Sequence, residues 1–315
     1  MTGTCRRKSC NVGLVVVGSV ALDSVKTPFG EVHDALGGSA VFFSIAASYF
    51  TDVAVVAVVG TDFPERHIDF LNAKGIDTSG LSVESGETFR WAGVYGYDLN
   101  DRDTIETRLN VFEGFHPRIP AGLRSSDFVF LANIDPELQL AVLDQVKRPR
   151  LVACDTMNFY IEGRREALLE TMRRVDVMIM NDSECRELTG EPNLIKSSRA
   201  ILEMGPHTVV VKKGEHGALM ATRDLFFSAP AFPCESVFDP TGAGDAFAGG
   251  FMGYLARSGD VGTPNMRRAV ISGTVMASYC VERFSVDGMS SLEPDDIEGR
   301  FEALKGFSDF ETEPA

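Results

Sequence analysis

The heptapeptide Asp239-Pro240-Thr241-Gly242-Ala243-Gly244-Asp245 constrains this chain more than any other stretch. It is followed by Ala246-Phe247-Ala248-Gly249-Gly250-Phe251, so it reads as a loop that turns into a helix. Glycines at 242 and 244 leave backbone N–H groups uncovered by side chains. The first N–H groups of a helix lack partners and the helix dipole adds positive potential, so such a turn attracts anions. A carboxylate, Asp245, stands inside it. An acid there can cap the helix. It can also act as a general base beside the place where a phosphoryl group will sit. Two glycines, a Thr and both acids at this spacing favour the second reading. The chain has no Gly-x-x-x-x-Gly-Lys-Ser/Thr sequence, which excludes a P-loop enzyme. Phe247 stands where a dinucleotide fingerprint needs its third glycine, which makes a dehydrogenase a poor alternative.

Composition bounds the partners. The chain has 315 residues, 44% of them hydrophobic and 24% charged, ordinary for a globular protein long enough for one large α/β domain or two modest ones. A net charge of −15 argues against nucleic acid or an anionic membrane surface as partner. It does not oppose ATP, because local N–H groups and a metal overrule the global field. Cysteines at 5, 10, 154, 185, 234 and 280 lack zinc spacing and read as thiols in a reducing compartment, hence a cytoplasmic protein. Arg6-Arg7-Lys8 before the apolar run from Val12 has the look of a short signal peptide. A basic tail followed by a buried strand, Leu14 to Val20, is the preferred reading, because Gly18-Ser19 and Asp23 then fall at a substrate site. No run approaches transmembrane length.

Apolar runs suited to parallel strands recur at Val12–Val20, Val53–Val59, Phe128–Ala132, Leu151–Asp155, Val177–Asn181 and Thr208–Lys213. Helical segments lie between or after them at 38–49, 64–74, 136–145, 164–172, 242–257 and 266–279. The alternation predicts one α/β domain with a mostly parallel central sheet flanked by helices. Residues 23–36 and 88–113 break it and carry β-favouring residues, including Phe89, Trp91, Val94, Tyr95 and Tyr97. They read as a few strands projecting from the main sheet.

The segment 239–251 resembles the second signature of the PfkB family of carbohydrate and nucleoside kinases, which have the ribokinase-like fold. The resemblance runs from about Gly18 to Phe284. It makes Asp245 the catalytic base and the backbone of Gly242, Ala243 and Gly244 the anion hole. Asp239 and Thr241 match the loop that holds a monovalent cation such as K⁺ in some relatives. Gly37-Gly38-Ser39-Ala40 matches the N-terminal Gly-Gly signature, and Asp23 matches the acid that binds acceptor hydroxyls. A strand-to-helix turn and an exposed turn Asp are the plain alternatives for these positions. The projecting strands become a small lid over the acceptor, in some members shared with a second subunit, so a homodimer through the lid is an expectation.

Further motifs follow the same comparison. Asn181-Asp182-Ser183-Glu184 resembles Asn-x-x-Glu, tied to Mg²⁺ and phosphate placement, with Glu184 acting through metal-bound water. The same residues can form a helix cap with a capping-box Glu. Lys212-Lys213-Gly214-Glu215-His216-Gly217 ends a strand where relatives place Thr/Lys-x-Gly-x-x-Gly along the nucleotide. Lys213, Gly214 and Gly217 are the candidate contacts there, with a solvated turn as the alternative. Asp155 and Asn158 match an Asp-x-x-Asn on the same rim, and Ala277 falls where the adenine pocket is completed.

The acceptor is less defined. Ribose-binding members commonly carry Asn at the position of Phe42, so Phe42, Phe89 or Trp91 can offer a base a stacking surface, or Phe42 can be core. Arg90, Arg102 and Arg108 in the lid can hold a substrate phosphate, or pair with the neighbouring Asp98, Asp101, Asp103 and Glu106. The expected activity is ATP- and Mg²⁺-dependent transfer of the γ-phosphoryl to a primary hydroxyl of a small sugar or sugar-like polyol. A nucleoside kinase, a phosphosugar kinase and a non-catalytic ligand-binding regulator of the same fold are the alternatives.

Overall fold

The computed structural model describes residues 13–307 and 309. The Arg6–Lys8 tail, Cys5, Cys10 and most of the acidic segment after Phe307 lie outside the described residues.

In chain order the elements are β1 (Leu14–Val17), β2 (Ala21–Thr27), β3 (Gly30–Gly37), α1 (Ser39–Ser48), β4 (Val53–Gly60), α2 (Glu65–Ala73), β5 (Asp77–Glu84), β6 (Phe89–Tyr95) and β7 (Arg102–Arg108). They continue as β8 (Phe128–Leu131), α3 (Pro136–Leu143), β9 (Leu151–Asp155), α4 (Asn158–Gly163), α5 (Arg165–Met172), β10 (Val177–Asn181), α6 (Asp182–Thr189), α7 (Leu194–Glu203) and β11 (Thr208–Lys212). The chain finishes with β12 (Ala218–Ala221), β13 (Phe226–Ala229), α8 (Ala243–Ser258), α9 (Thr263–Cys280) and α10 (Pro294–Gly306).

Nine strands form the main sheet in the order β13-β12-β11-β10-β9-β8-β1-β4-β5. From β11 to β5 every pairing is parallel, while β12 and β13 add an antiparallel edge. Strand β1 shows why. All four of its residues are buried, because a parallel sheet carries helices on both faces. Successive side chains point to opposite faces. Leu14 and Val16 join a core with Phe43, Phe251 and Met276 from α1, α8 and α9. Val15 and Val17 join a second core with Val142, Leu168 and Ile201 from α3, α5 and α7. The first core is anchored by Phe43 stacked on Phe130 at 4.3 Å.

A second sheet has the order β3-β2-β6-β7 and meets the loop before α8 where Tyr95 contacts Thr241. Its central pair, β2 and β6, is parallel, and both outer pairs are antiparallel. It occupies the two segments that break the strand–helix alternation. β5, β12 and β13 have no counterpart in the sequence expectation; in β12, four residues rich in Ala and Met carry little strand signal. Among the described residues no helix is long and apolar enough to cross a membrane.

Candidate active site

Ligands of parallel α/β sheets bind beyond the carboxyl ends of the strands, and the chemistry-bearing residues gather there. Asp155 ends β9, Asn181 ends β10 and Lys212 ends β11, while Asp245 sits in the first turn of α8. The helix begins at Gly242, whose φ of 77° is the left-handed conformation that disfavours a side chain. A Cβ there would also meet the Phe42 ring at 2.3 Å. Phe42 is therefore the floor of the turn, 2% exposed, rather than an open stacking surface. No side chain caps α8. Ala243 N–H is hydrogen-bonded to the Pro240 carbonyl at 3.2 Å, which removes it from the expected anion hole. Among the described residues the Gly242 and Gly244 amides have no backbone acceptor.

Lys212 is the cation of the site. Its Nζ donates to Asp155 Oδ2 at 2.7 Å, with side chains 17% and 4% exposed. It lies against the helix turn, since a Cβ at Gly244 would stand 2.9 Å from Nζ. Burial alone would lower the Lys212 pKa, but the charges of Asp155, Glu184 and Asp245 outweigh it and raise it. Asp245 is pushed up to about 7, first by burial and then by Asp155, with Lys212 and Arg102 opposing. Asp23 also rises to about 7, chiefly by burial, with the Gly38 N–H lowering it and Asp239 and Asp245 adding to the rise. Three carboxylates thus share one ammonium, and the cluster holds an excess of negative charge that a cation would relieve.

The expected magnesium pair takes the form of a capping box. Asn181 Oδ1 accepts from Glu184 N–H at 2.8 Å, and Glu184 Oε2 accepts from Asn181 N–H at 2.8 Å. Glu184 is nonetheless buried beside Asp155, and burial followed by that charge raises its pKa. Among the described residues no three acidic, His or Cys side chains converge to hold a metal by themselves. Glu184 is a carboxylate of the kind that Mg²⁺ engages through its water shell.

A narrow cleft is lined by Asp23, Val25, Leu36, Phe42, Asp239 and Thr241. Asp23 accepts from Gly38 N–H at 3.3 Å, and a Cβ at Gly37 would strike its carboxylate at 1.9 Å, so the Gly-Gly turn makes room for it. Asp239 accepts from the backbone N–H groups of Thr241 at 2.9 Å and Ser285 at 3.2 Å. Trp91 pairs with Asp23 in parallel register, which puts both on the inner face of the second sheet. Its ring lies over Gly93, where a Cβ would come within 2.3 Å. Tyr95, further along that face, meets Thr241 Oγ1 at 3.2 Å.

Two expected residues, Arg90 and Phe89, are engaged by other partners. Arg90 alternates onto the outer face and is paired with Asp34, and with Asp62 at 2.8 Å. That arrangement gives Arg90 the ion-pairing role. Phe89 stacks on Phe112 at 5.3 Å and packs against the second core. Ala277 lies half-buried near the end of α9. Gly214 and Gly217 both have positive φ, 54° and 80°, in the turn after β11. Lys213 is half-buried there, and among the described residues it makes no ion pair. Sequence reasoning passed over Lys212 in favour of its neighbour. The signal was available, since the last residue of an apolar parallel strand points its polar group at the ligand edge.

Residues 11–292 match the pfkB family carbohydrate kinases. The chain is 32% identical to the cytidine kinase of Thermococcus kodakarensis over 250 residues, 78% of this chain and 88% of that protein. It is 25% identical to the ribokinase of Lactococcus lactis over 299 residues, 87% of this chain and 92% of that one. The solved structure of Methanocaldococcus jannaschii nucleoside kinase superposes with a TM-score of 0.74 at 21% identity, covering 92% of this chain and 98% of that one. The chain belongs to the PfkB family and has the ribokinase-like fold. Its activity is that of a phosphotransferase acting on a hydroxyl group of a sugar or nucleoside.

Proposed function

We propose that this kinase takes a nucleoside as acceptor and transfers the γ-phosphoryl of ATP to its primary hydroxyl. The observation that carries the reading is the inner face of the second sheet. It sets Trp91 opposite Asp23 in register, so that both project to the face on which Tyr95 meets Thr241 of the Gly242 loop. A carboxylate that only accepts suits vicinal ribose hydroxyls, and an indole suits a base. The similarity to a cytidine kinase over most of the chain supports the same choice.

In this reading Asp245 takes the acceptor proton as the new O–P bond forms, and ADP leaves as the old P–O bond breaks. The Gly242 and Gly244 amides and Lys212 stabilise charge on the phosphoryl oxygens. Mg²⁺, when bound, neutralises the phosphate charge. Asn181 and Glu184 are the residues placed to order its water shell.

A screen of ADP release across nucleosides, ribose and other sugars tests the acceptor. Cytidine and related nucleosides are expected to turn over faster than ribose. Trp91→Ala is expected to weaken nucleoside binding by about 1–2 kcal/mol, roughly five- to thirtyfold, and to spare any residual ribose activity. Efficient ribose turnover with no nucleoside activity would reverse the assignment.

Glu184→Gln isolates the metal role, because Gln still accepts the Asn181 N–H and keeps the helix cap. The Mg²⁺ concentration for half-maximal rate is expected to rise about tenfold, the equivalent of one lost charged contact. An unchanged Mg²⁺ titration would reduce Glu184 to its cap.

A further inference from the structure

The hairpin joining β6 and β7 reaches past the narrow cleft to the far side of the site. Three contacts mark its path. Tyr95, the last residue of β6, meets Thr241 of the Gly242 loop. Asn100, in the turn, stands so close to the Lys213-Gly214 turn after β11 that a Cβ at Gly214 would lie 2.1 Å from its Oδ1. Arg102, the first residue of β7, is directly opposite Tyr95 in the antiparallel register. Opposed residues of an antiparallel pair project to the same face, so Arg102 shares the inner face with Tyr95 and Trp91. Its guanidinium lies 5.9 Å from the Trp91 ring centre, which confirms the side.

The other lid arginines are neutralised, Arg90 by Asp34 and Asp62 and Arg108 by Glu106. Among the described residues Arg102 has no acidic partner within ion-pair distance. Its charge favours the ionised form of Asp245, in keeping with the inner-face position that the strand register gives it. An exposed arginine set beside an aromatic ring on the inner face, on a hairpin fastened at both sides of the site, has the geometry of an anion clamp.

We propose that Arg102 is a catalytic residue delivered by the lid, whose guanidinium contacts the transferring phosphoryl group once acceptor and ATP are both in place. The inference rests on the kinase reading above. It makes the lid a part of the catalytic machinery rather than a cover alone. The contact forms on the phosphoryl in flight, so it acts on turnover more than on acceptor affinity.

The test compares wild type with Arg102→Gln, Arg102→Lys, Arg102→Ala and the control Arg108→Gln, using Mg-ATP and the best acceptor of the screen. Arg102→Gln is expected to lower kcat about ten- to a hundredfold, on the scale of losing one electrostatic donor, with the acceptor KM within about threefold of wild type. Arg102→Lys should keep part of the rate, Arg108→Gln should keep all of it, and added guanidinium should restore turnover to Arg102→Ala. If kcat is retained in Arg102→Gln, or if the variant raises the acceptor KM alone and guanidinium rescues nothing, the proposal is overturned and Arg102 merely packs Trp91. A wild-type protein that transfers phosphate to no acceptor would instead remove the kinase reading, which keeps the two failures apart.

Discussion

Asp245→Asn is expected to lower turnover by about 10²–10⁴-fold, the scale of losing a general base, while leaving ATP affinity near wild type. The substitution keeps the shape of the turn and removes only the capacity to take a proton. It should also stabilise the fold at alkaline pH. The folded-state pKa of Asp245 is raised from 3.8 to about 7, so the native state binds its proton more tightly than the unfolded chain does. Stability from this group is present below about pH 4 and is lost as pH rises through 7. Asn cannot ionise. Asp245→Asn should therefore melt higher than wild type at pH 8, by about 2–4 °C for each kcal/mol relieved, with a smaller gain at pH 5. The wild-type rate should fall on the acid side as Asp245 becomes protonated. Paired activity and melting measurements at both pH values check this. A variant with most of its turnover, or one destabilised at pH 8, would remove Asp245 from the role of buried base.

Lys212→Met carries the second large effect. Lys212 is the ammonium that Asp155, Glu184 and Asp245 share. Breaking a buried ion pair from one side leaves uncompensated charge and costs about 3–5 kcal/mol. The loss should deepen between pH 5 and pH 8, because the orphaned carboxylates take up protons at low pH and are forced to ionise at high pH. Urea unfolding at the two pH values measures it. Adding Asp155→Asn to Lys212→Met should return part of the stability and none of the turnover, since the phosphoryl cation is still missing. A deficit below about 1 kcal/mol that does not vary with pH would mean that Lys212 is solvated and not the centre of the cluster.

Much of this molecule was legible before its coordinates. The apolar runs at 53–59, 128–132, 151–155, 177–181 and 208–213 carry their burial in composition, because a strand covered on both faces has no polar alternation to obscure it. The Asp239–Asp245 loop announced its helix through residue type alone. What stayed hidden depended on which way side chains face. Arg90 and Arg102 look equivalent in the sequence, but one lies on the outer face bound to Asp34 and Asp62 and the other on the inner face beside Trp91. A bulge between Ala92 and Gly93 shifts the register of β6 and β7, and no periodicity count anticipates it. Phe42 was ambiguous for a similar reason. Only the packing of Gly242 against its ring makes it a floor rather than a stacking surface. Ala243 was assigned to the anion hole from its position, and a single turn hydrogen bond to Pro240 takes its N–H away.

The measurement that bears most directly on the central claim is a phosphoryl-balance experiment on wild type and Asp245→Asn with labelled ATP, Mg²⁺ and cytidine. The account predicts that wild type yields ADP and a nucleoside monophosphate in equal amounts, with the label on the primary hydroxyl, and that the variant yields neither at a comparable rate. ADP formed without a phosphorylated acceptor, across nucleosides and sugars alike, would contradict it.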